Sequence, residues 1–352
     1  LTGHEESRFL PRVAITMGDV AGIGPEIIAR CWGNHELTRL CRPIVVGHPA
    51  VLARALALVG SGMAVLEMEG LEDAPSDMAA IPCWNPTNDA VLAVPPATTD
   101  ARAGLAAYQY VAAAAGAACA QALDAVVTAP INKAALAAAG FDEPGHTEIL
   151  ARLCGAPEFA MMLHLPGQRA CGLSVAHVTL HTSLRSVPSL VSAAGVEQKI
   201  RLVDQFLKQL GCLQPRIAVC ALNPHAGEEG LMGDEEPRHI APAVAAARAA
   251  GILAVGPLPA DTVFRRACDG QFDGVVAMYH DQGHIALKLL GAGKAVNVTL
   301  GLPIVRTSPS HGTAYDIAWK GQARADGLFE AVRLAVCLAV RKQASCQATT
   351  RC

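Results

Sequence analysis

In the stretch Phe272-Asp273-Gly274-Val275-Val276-Ala277-Met278-Tyr279-His280-Asp281-Gln282-Gly283-His284-Ile285-Ala286-Leu287-Lys288, a short apolar run gives way abruptly to polar residues. The run 272–277 fits a buried strand, because it is short, rich in Val and bounded by Gly and a polar cluster. His280, Asp281 and Lys288 then lie beyond a strand's carboxyl end. In open α/β sheets ligands bind along that edge. A single His there is as often an internal hydrogen-bonding residue as a metal ligand. Further His residues in equivalent places decide between the two.

Two more strand-like runs close in the same way. Residues 216–222 end in Asn223-Pro224-His225-Ala226-Gly227-Glu228, and the helical pattern of 196–210 precedes them. Residues 159–165 and 171–177 fit a hairpin whose second strand runs on through Val178-Thr179-Leu180-His181. His177 and His181 are four apart, but the alternation here is that of extended chain, so they need not share a helical face. His181, His225 and His280 together match a catalytic metal site, in which three protein ligands leave one position open.

The amino-terminal half opens on a strand at 12–17, the loop Gly18-Asp19-Val20-Ala21-Gly22-Ile23-Gly24-Pro25-Glu26 and a helix over 27–32. Pro25 suits the first helical turn. The loop has the outline of an anion or cofactor cradle, or of a plain tight βα turn. Its G-x-x-x-G-x-G spacing is not the Rossmann fingerprint. A strand at 42–47 and a helix at 49–58 follow, and 69–99 reads as a Pro- and Asp-rich loop region. The Ala-rich helix 102–123 is apolar nearly all round, which predicts packing on more than one side. It leads to a strand ending near Thr128, with Lys133 placed either to hold an anion or to start a helix. Gly145-His146-Thr147-Glu148 opens another helix, where Thr147 is a candidate N-cap and the His-Thr pair a candidate anion contact. Asp261 looks like a further N-cap. Lys288, Asn297 and Arg306 offer a point charge, a hydrogen bond and a carboxylate or phosphate fork. His311-Gly312-Thr313-Ala314-Tyr315-Asp316-Ile317-Ala318-Trp319-Lys320-Gly321 is a loop before the closing helix 325–342, and the polar tail 343–352 is expected to fray.

A length of 352 residues fits two domains with sizeable cores. The charged fraction of 17% and net charge of −3 point to no nucleic-acid or membrane-surface partner. The 12 Cys are scattered without C-x-x-C, which argues against a zinc ribbon or disulfide framework and for a reducing, cytoplasmic setting. The first eleven residues do not have the pattern of a signal peptide. The apolar tracts 111–120 and 332–340 fall short of the roughly 20 residues that span a bilayer.

Taken as an ordered set, the segments 16–26, 127–133, 145–148, 223–227, 279–283 and 301–313 resemble the 4-hydroxythreonine-4-phosphate dehydrogenase (PdxA-like) family, over about 12–340. The resemblance implies an α/β fold of two α/β/α domains with a central cleft, similar to isocitrate and isopropylmalate dehydrogenases. Residues 11–130 plus 300–345 would form the cofactor-side domain, and 131–299 the metal, substrate and dimerisation domain. It implies NAD as cofactor, contacted by Gly18, Asp19, Gly22, Gly24, His311, Gly312, Thr313 and Asp316. A divalent metal, Zn foremost with Co, Ni, Mn or Mg as others, would sit on His181, His225 and His280. Substrate would be held by His146, Thr147, Lys288, Asn297 and Arg306. The family is a homodimer whose metal site is completed across the interface. The implied reaction is metal-assisted oxidation of a secondary alcohol, with hydride passing to the nicotinamide and CO2 lost from a β-carboxylate. Lys288 or Asp261 would handle the proton. The substrate would be a 4-phosphorylated hydroxy acid or, alternatively, the cis-dihydrodiol of terephthalate. Phosphate acyltransferases share the wider fold, and a non-catalytic anion-binding protein is a further reading. Val20 stands where the family usually has Pro, Trp319 where Gly is common and Pro309-Ser310 where Val-Asp is common, and the 291–295 turn is unusual. These departures touch loops rather than the proposed ligands.

Overall fold

A computed structural model describes residues 9–75, 78–143, 145–167, 171–291 and 293–350, with backbone only for the last three. The chain forms two compact units, one built from residues up to Ala156 and from Leu302 onward, the other from Pro157–Gly301. Residues 131–156, expected with the second domain, lie in the first unit.

In chain order the strands are β1 (Arg12–Thr16), β2 (Arg42–Val46), β3 (Ala64–Met68), β4 (Ala80–Trp84), β5 (Ala125–Thr128), β6 (Ala160–Leu165), β7 (Leu173–His177), β8 (Arg216–Cys220), β9 (Leu253–Leu258), β10 (Gly274–Ala277), β11 (Val296–Leu300) and β12 (Arg306–Pro309). The first unit orders its strands β3-β4-β2-β1-β5-β12, and all these pairings are parallel. Val13, Ala14, Ile15, Val126 and Val127 are fully buried, as parallel strands covered on both faces require. The helix Ala101–Cys119 packs on β1, β2 and β5 and on the helices Lys133–Ala138 and His146–Leu153, which accounts for its apolar circumference. Asp100 caps it, its carboxylate accepting from the Arg102 amide at 2.8 Å.

The second unit runs β11-β6-β7-β10-β8-β9. The hairpin β6–β7 is antiparallel, as expected, and β11 pairs antiparallel with β6, whereas β7, β10, β8 and β9 are parallel neighbours. Its core gathers Leu163, Val175, Ala218, Val263, Val275 and Leu287, so the helices Ala260–Cys268 and His280–Leu290 are both seated on the sheet. Among the described residues no helix is long and apolar enough to cross a membrane.

Several local expectations are corrected. The region 69–99 is not all loop: β4 lies within it, just after β3. Gly145, not Thr147, is the N-cap of His146–Leu153, and Thr147 is inside the first turn. Asp261 is likewise exposed in a first turn whose N-cap is Pro259. The closing helix spans Asp326–Thr350, so the expected frayed tail is helical through Thr350.

Candidate active site

The carboxyl ends of β7, β10 and β8, three adjacent parallel strands, each lead within a few residues to one of the predicted imidazoles. β7 ends at His177 and precedes His181, β10 ends at Ala277 and precedes His280, and β8 ends at Cys220 and precedes His225. β9 is the next parallel neighbour and delivers Asp261 to the same edge. The rings of His181 and His280 have centroids 5.9 Å apart. Among the described residues, no three His, Cys, Asp or Glu groups of this single chain are grouped so as to hold a metal ion.

Hydrogen bonds tie these loops to one another. Thr179 Oγ1 donates to the Met278 carbonyl at 2.8 Å, which holds the His181 segment to the His280 segment. Gln282 accepts from the Met278 amide at 2.7 Å and donates to the Ala221 carbonyl at 2.8 Å, linking the ends of β10 and β8. Glu236, buried, accepts from the amides of Leu222 and Asn223 at 2.9 and 2.8 Å and from Asn223 Nδ2 at 2.9 Å. A Cβ at Gly283 would fall 2.4 Å from His177 Nε2, so only glycine lets this first helical turn sit on the strand.

The helix His280–Leu290 continues the site along its face. His284 stacks on His280 with centroids 3.8 Å apart, and its Nδ1 lies 3.1 Å from His177 Nε2. Lys288, one turn further on the same i+4 stripe, is exposed and its charge helps to depress the His284 pKa, after burial and His280. Asn297 lies on β11, and its Oδ1 is buried without a hydrogen-bond partner among the described residues.

The first unit holds a second predicted set. Arg306 opens β12, is 1% exposed, and donates from Nη2 to Thr128 Oγ1 at 2.6 Å. Burial pulls its pKa down to about 9, with Glu148 acting in the opposite sense. His146 Nε2 is enclosed without a hydrogen-bond partner among the described residues, and burial, then the Arg306 charge, hold its pKa well below the ordinary value. Thr147, next to His146 in sequence, is buried. An enclosed guanidinium and a polar ring atom awaiting a partner are suited to an oxyanion. Lys133, by contrast, is an exposed first residue of its helix.

The predicted cofactor loops meet differently from the expectation. Gly18, Asp19, Gly22 and Gly24 are buried, whereas His311, Gly312 and Asp316 are exposed and Thr313 half-buried. The 18–26 loop is the seat of the 311–321 loop: the Ile23 amide donates to the Thr313 carbonyl at 3.0 Å, and Tyr315 donates its hydroxyl proton to Asp19. A Cβ at Gly22 would lie 2.9 Å from Thr313 Cβ, and one at Gly24 would lie 2.2 Å from the Met17 carbonyl. Close packing within the chain accounts for Gly22 and Gly24.

Enclosed imidazoles, His164 and His146 among them, give the fold a definite response to acid. His164, hydrogen-bonded to Ser174 at 3.0 Å, has its pKa lowered to about 4 by burial, and His146 is lowered too. Above pH 6.5 both are neutral in the folded and unfolded chains and contribute no pH dependence. Below it the unfolded chain takes up protons that the folded chain refuses, so stability falls as pH drops. Each can contribute up to about 1.4 kcal/mol per pH unit. Denaturant melts between pH 6.5 and about 4 should show this decline, and His164→Asn should flatten part of it.

An α/β chain with titratable groups gathered at the carboxyl ends of its strands has the build of an enzyme. The family model described as Pyridoxal phosphate biosynthetic protein PdxA matches residues 39–335, and the chain belongs to that family. The 4-hydroxythreonine-4-phosphate dehydrogenase of Geobacter metallireducens is 46% identical over 92% of this chain and 94% of its own length. The D-threonate 4-phosphate dehydrogenase of Cupriavidus necator is 45% identical over 96% and 99%. The crystal structure of 4-hydroxythreonine-4-phosphate dehydrogenase from Klebsiella pneumoniae superposes with a TM-score of 0.83 at 43% identity, covering 94% of this chain and 99% of that one. A terephthalate 1,2-cis-dihydrodiol dehydrogenase from Burkholderia xenovorans is more distant, with a TM-score of 0.64 at 30% identity over 93% and 98%. The chain is an NAD-dependent dehydrogenase of the PdxA family.

Sequence reasoning passed over Gln282, Thr179, Glu236 and Thr128. Only Gln282 carried a signal, being the one amide inside the His280-Asp281-Gln282-Gly283 motif.

Proposed function

We propose that the chain oxidises the secondary alcohol of a 4-phosphorylated hydroxy acid, of the 4-hydroxythreonine 4-phosphate, 4-phosphothreonate or 4-phosphoerythronate type, with NAD and with loss of CO2. The observation that carries the reading is the placement of His181, His225 and His280 beyond three adjacent parallel strands in a chain of this family. Curated relatives at 45–46% identity act, by name, on 4-phosphorylated compounds. Arg306, His146 and Thr147 of the first unit supply the enclosed cationic and polar groups that a phosphate needs. Lys288 and Asn297 of the second unit are the other substrate contacts that the family resemblance implies.

The imidazole set fits a divalent cation such as Zn, Co or Ni, with Mn or Mg as weaker matches to nitrogen donors. Such an ion, when bound, would acidify the substrate hydroxyl and steady negative charge on oxygen. A second copy of the chain would complete the ligand set. His181, His225 and His280 would hold the ion, Asp281 orients His280 through a 2.6 Å bond to Nδ1, and Gln282 ties the loops together. Of the two candidate proton carriers, Lys288 shares the helical stripe of His280 and His284, which favours it over Asp261. On this reading NAD would meet the exposed residues of the 311–321 loop on the first unit, and the second unit would carry metal and dimerisation.

The test is NADH formation by the metal-loaded protein, offered in parallel 4-phosphothreonate, 4-hydroxythreonine 4-phosphate and the terephthalate dihydrodiol. Turnover of the phosphorylated acids alone is expected. Turnover of the dihydrodiol alone would overturn the substrate and mean that Arg306 and its neighbours read a carboxylate.

A further inference from the structure

Trp319 has φ 58°, in the left-handed region where a residue with a side chain is strained and glycine is not. A bulky aromatic persists there only if its surroundings hold it. Two contacts do so. The indole N–H donates to the Val20 carbonyl at 2.9 Å, and the Arg54 guanidinium carbon lies 4.6 Å from the ring centroid. Val20 belongs to the buried 18–26 loop, and Arg54 to the helix Pro49–Leu58 that packs against Gly24–Trp32.

The 311–321 loop is thus pinned at both ends. Thr313 and Tyr315 fasten its first half to Ile23 and Asp19, and Trp319, with the Gly321 carbonyl on Arg30, fastens its second half. Between the pins, Asp316 stands exposed, as do His311 and Gly312 at the loop's start.

We infer that Trp319 is a positioning residue for the cofactor: its indole clasps the 311–321 loop to Val20 and holds the loop's exposed residues in their binding arrangement before NAD arrives. The inference rests on the proposed reading of this loop as the nucleotide contact. A loop ordered in advance loses less freedom on binding, so removing the clasp lowers affinity without removing any group that touches the nucleotide.

Three variants of the full-length protein separate the parts of this argument. Trp319→Gly removes both strain and clasp, Trp319→Ala removes the clasp but keeps the strain, and Trp319→Phe keeps the ring over Arg54 while losing the N–H donor. Calorimetric titration with NAD should show Trp319→Gly about tenfold weaker than wild type, with Trp319→Phe between them. Amide exchange without nucleotide should speed up in residues 18–24 and 311–321 of Trp319→Gly. Trp319→Ala should melt below Trp319→Gly, an order that simple loss of bulk would reverse, because Gly alone is at ease at this φ. Trp319→Gly binding NAD within about twofold of wild type, with unchanged exchange, would overturn the clasp while leaving the cofactor reading intact. Wild-type protein that takes no NAD would overturn both.

Discussion

His225→Ala is expected to lower NADH formation at least about a thousandfold, roughly 4 kcal/mol of transition-state stabilisation, while leaving the fold intact. The expectation follows from position. His225 is exposed, lies beyond the end of β8 and contributes nothing to the core, so truncation removes a donor without opening a cavity. Its φ of 51° is left-handed for either side chain, and since His tolerates this region somewhat better than Ala, the change adds only a little backbone strain. Melting temperature and oligomeric state should match wild type, and bound metal, counted by elemental analysis after dialysis, should fall to near zero. His177→Ala is the contrasting control: His177 is 1% exposed within β7, so its truncation costs packing and should lower the melting temperature as well. Retained turnover in His225→Ala would sink the metal assignment and leave the strand-end imidazoles with a structural role.

The parts of the molecule that could be read from residues alone are those whose burial is uniform. β1, β2, β5 and β10 are apolar on both faces and stand out as short runs, and the helix Pro49–Leu58 announces itself with a proline at its start. β3 and β4 did not. β3 lies at the end of its unit's strand order and is mostly exposed, so it lacks the apolar run of a covered strand, and in β4 only Ile81, Pro82 and Cys83 are buried, too short a run to stand out. The ladder between β4 and β2 includes only Cys83 and Trp84, which leaves Pro82 outside it. β9 was hidden by its exposed Leu253 and Val255 and by Gly256-Pro257. The three strand-end imidazoles were legible because each comes within a few residues of the end of an apolar run. Their supports were not: Glu236 reaches Leu222 and Asn223 from more than ten residues away, and no spacing rule reports such a contact. The glycines of the 18–26 loop suggested a cradle, yet close approach to Thr313 and Met17 satisfies the same preference.

Glu236→Ala should be the most damaging single change that touches no expected ligand. From His225 to Glu229 five consecutive residues have positive φ, between 40° and 79°, and four of them carry side chains. Such a run is costly and persists only where neighbouring structure dictates it. The Glu236 carboxylate packs against this run, where a Cβ at Gly227 would lie 2.8 Å from its Oε2, and it bonds the chain that enters the run. One oxygen accepts from the Leu222 and Asn223 amides just before the turn, and the other accepts from Asn223 Nδ2, all within a site only 3% exposed at Glu236. Alanine would strand the two amide donors and release the turn, for a loss of about 3 kcal/mol in unfolding free energy. Glu236→Gln keeps the oxygen that serves the two amides but turns a donor toward Asn223 Nδ2, so it should lose less stability. Because the turn carries His225, even the folded fraction of Glu236→Gln should bind metal more weakly and turn over more slowly than its stability alone explains. Denaturant unfolding alongside metal titration separates the two effects. If Glu236→Ala unfolded at the wild-type midpoint with full activity, the left-handed turn would have to be held by something other than this carboxylate, and its role in placing His225 would fall.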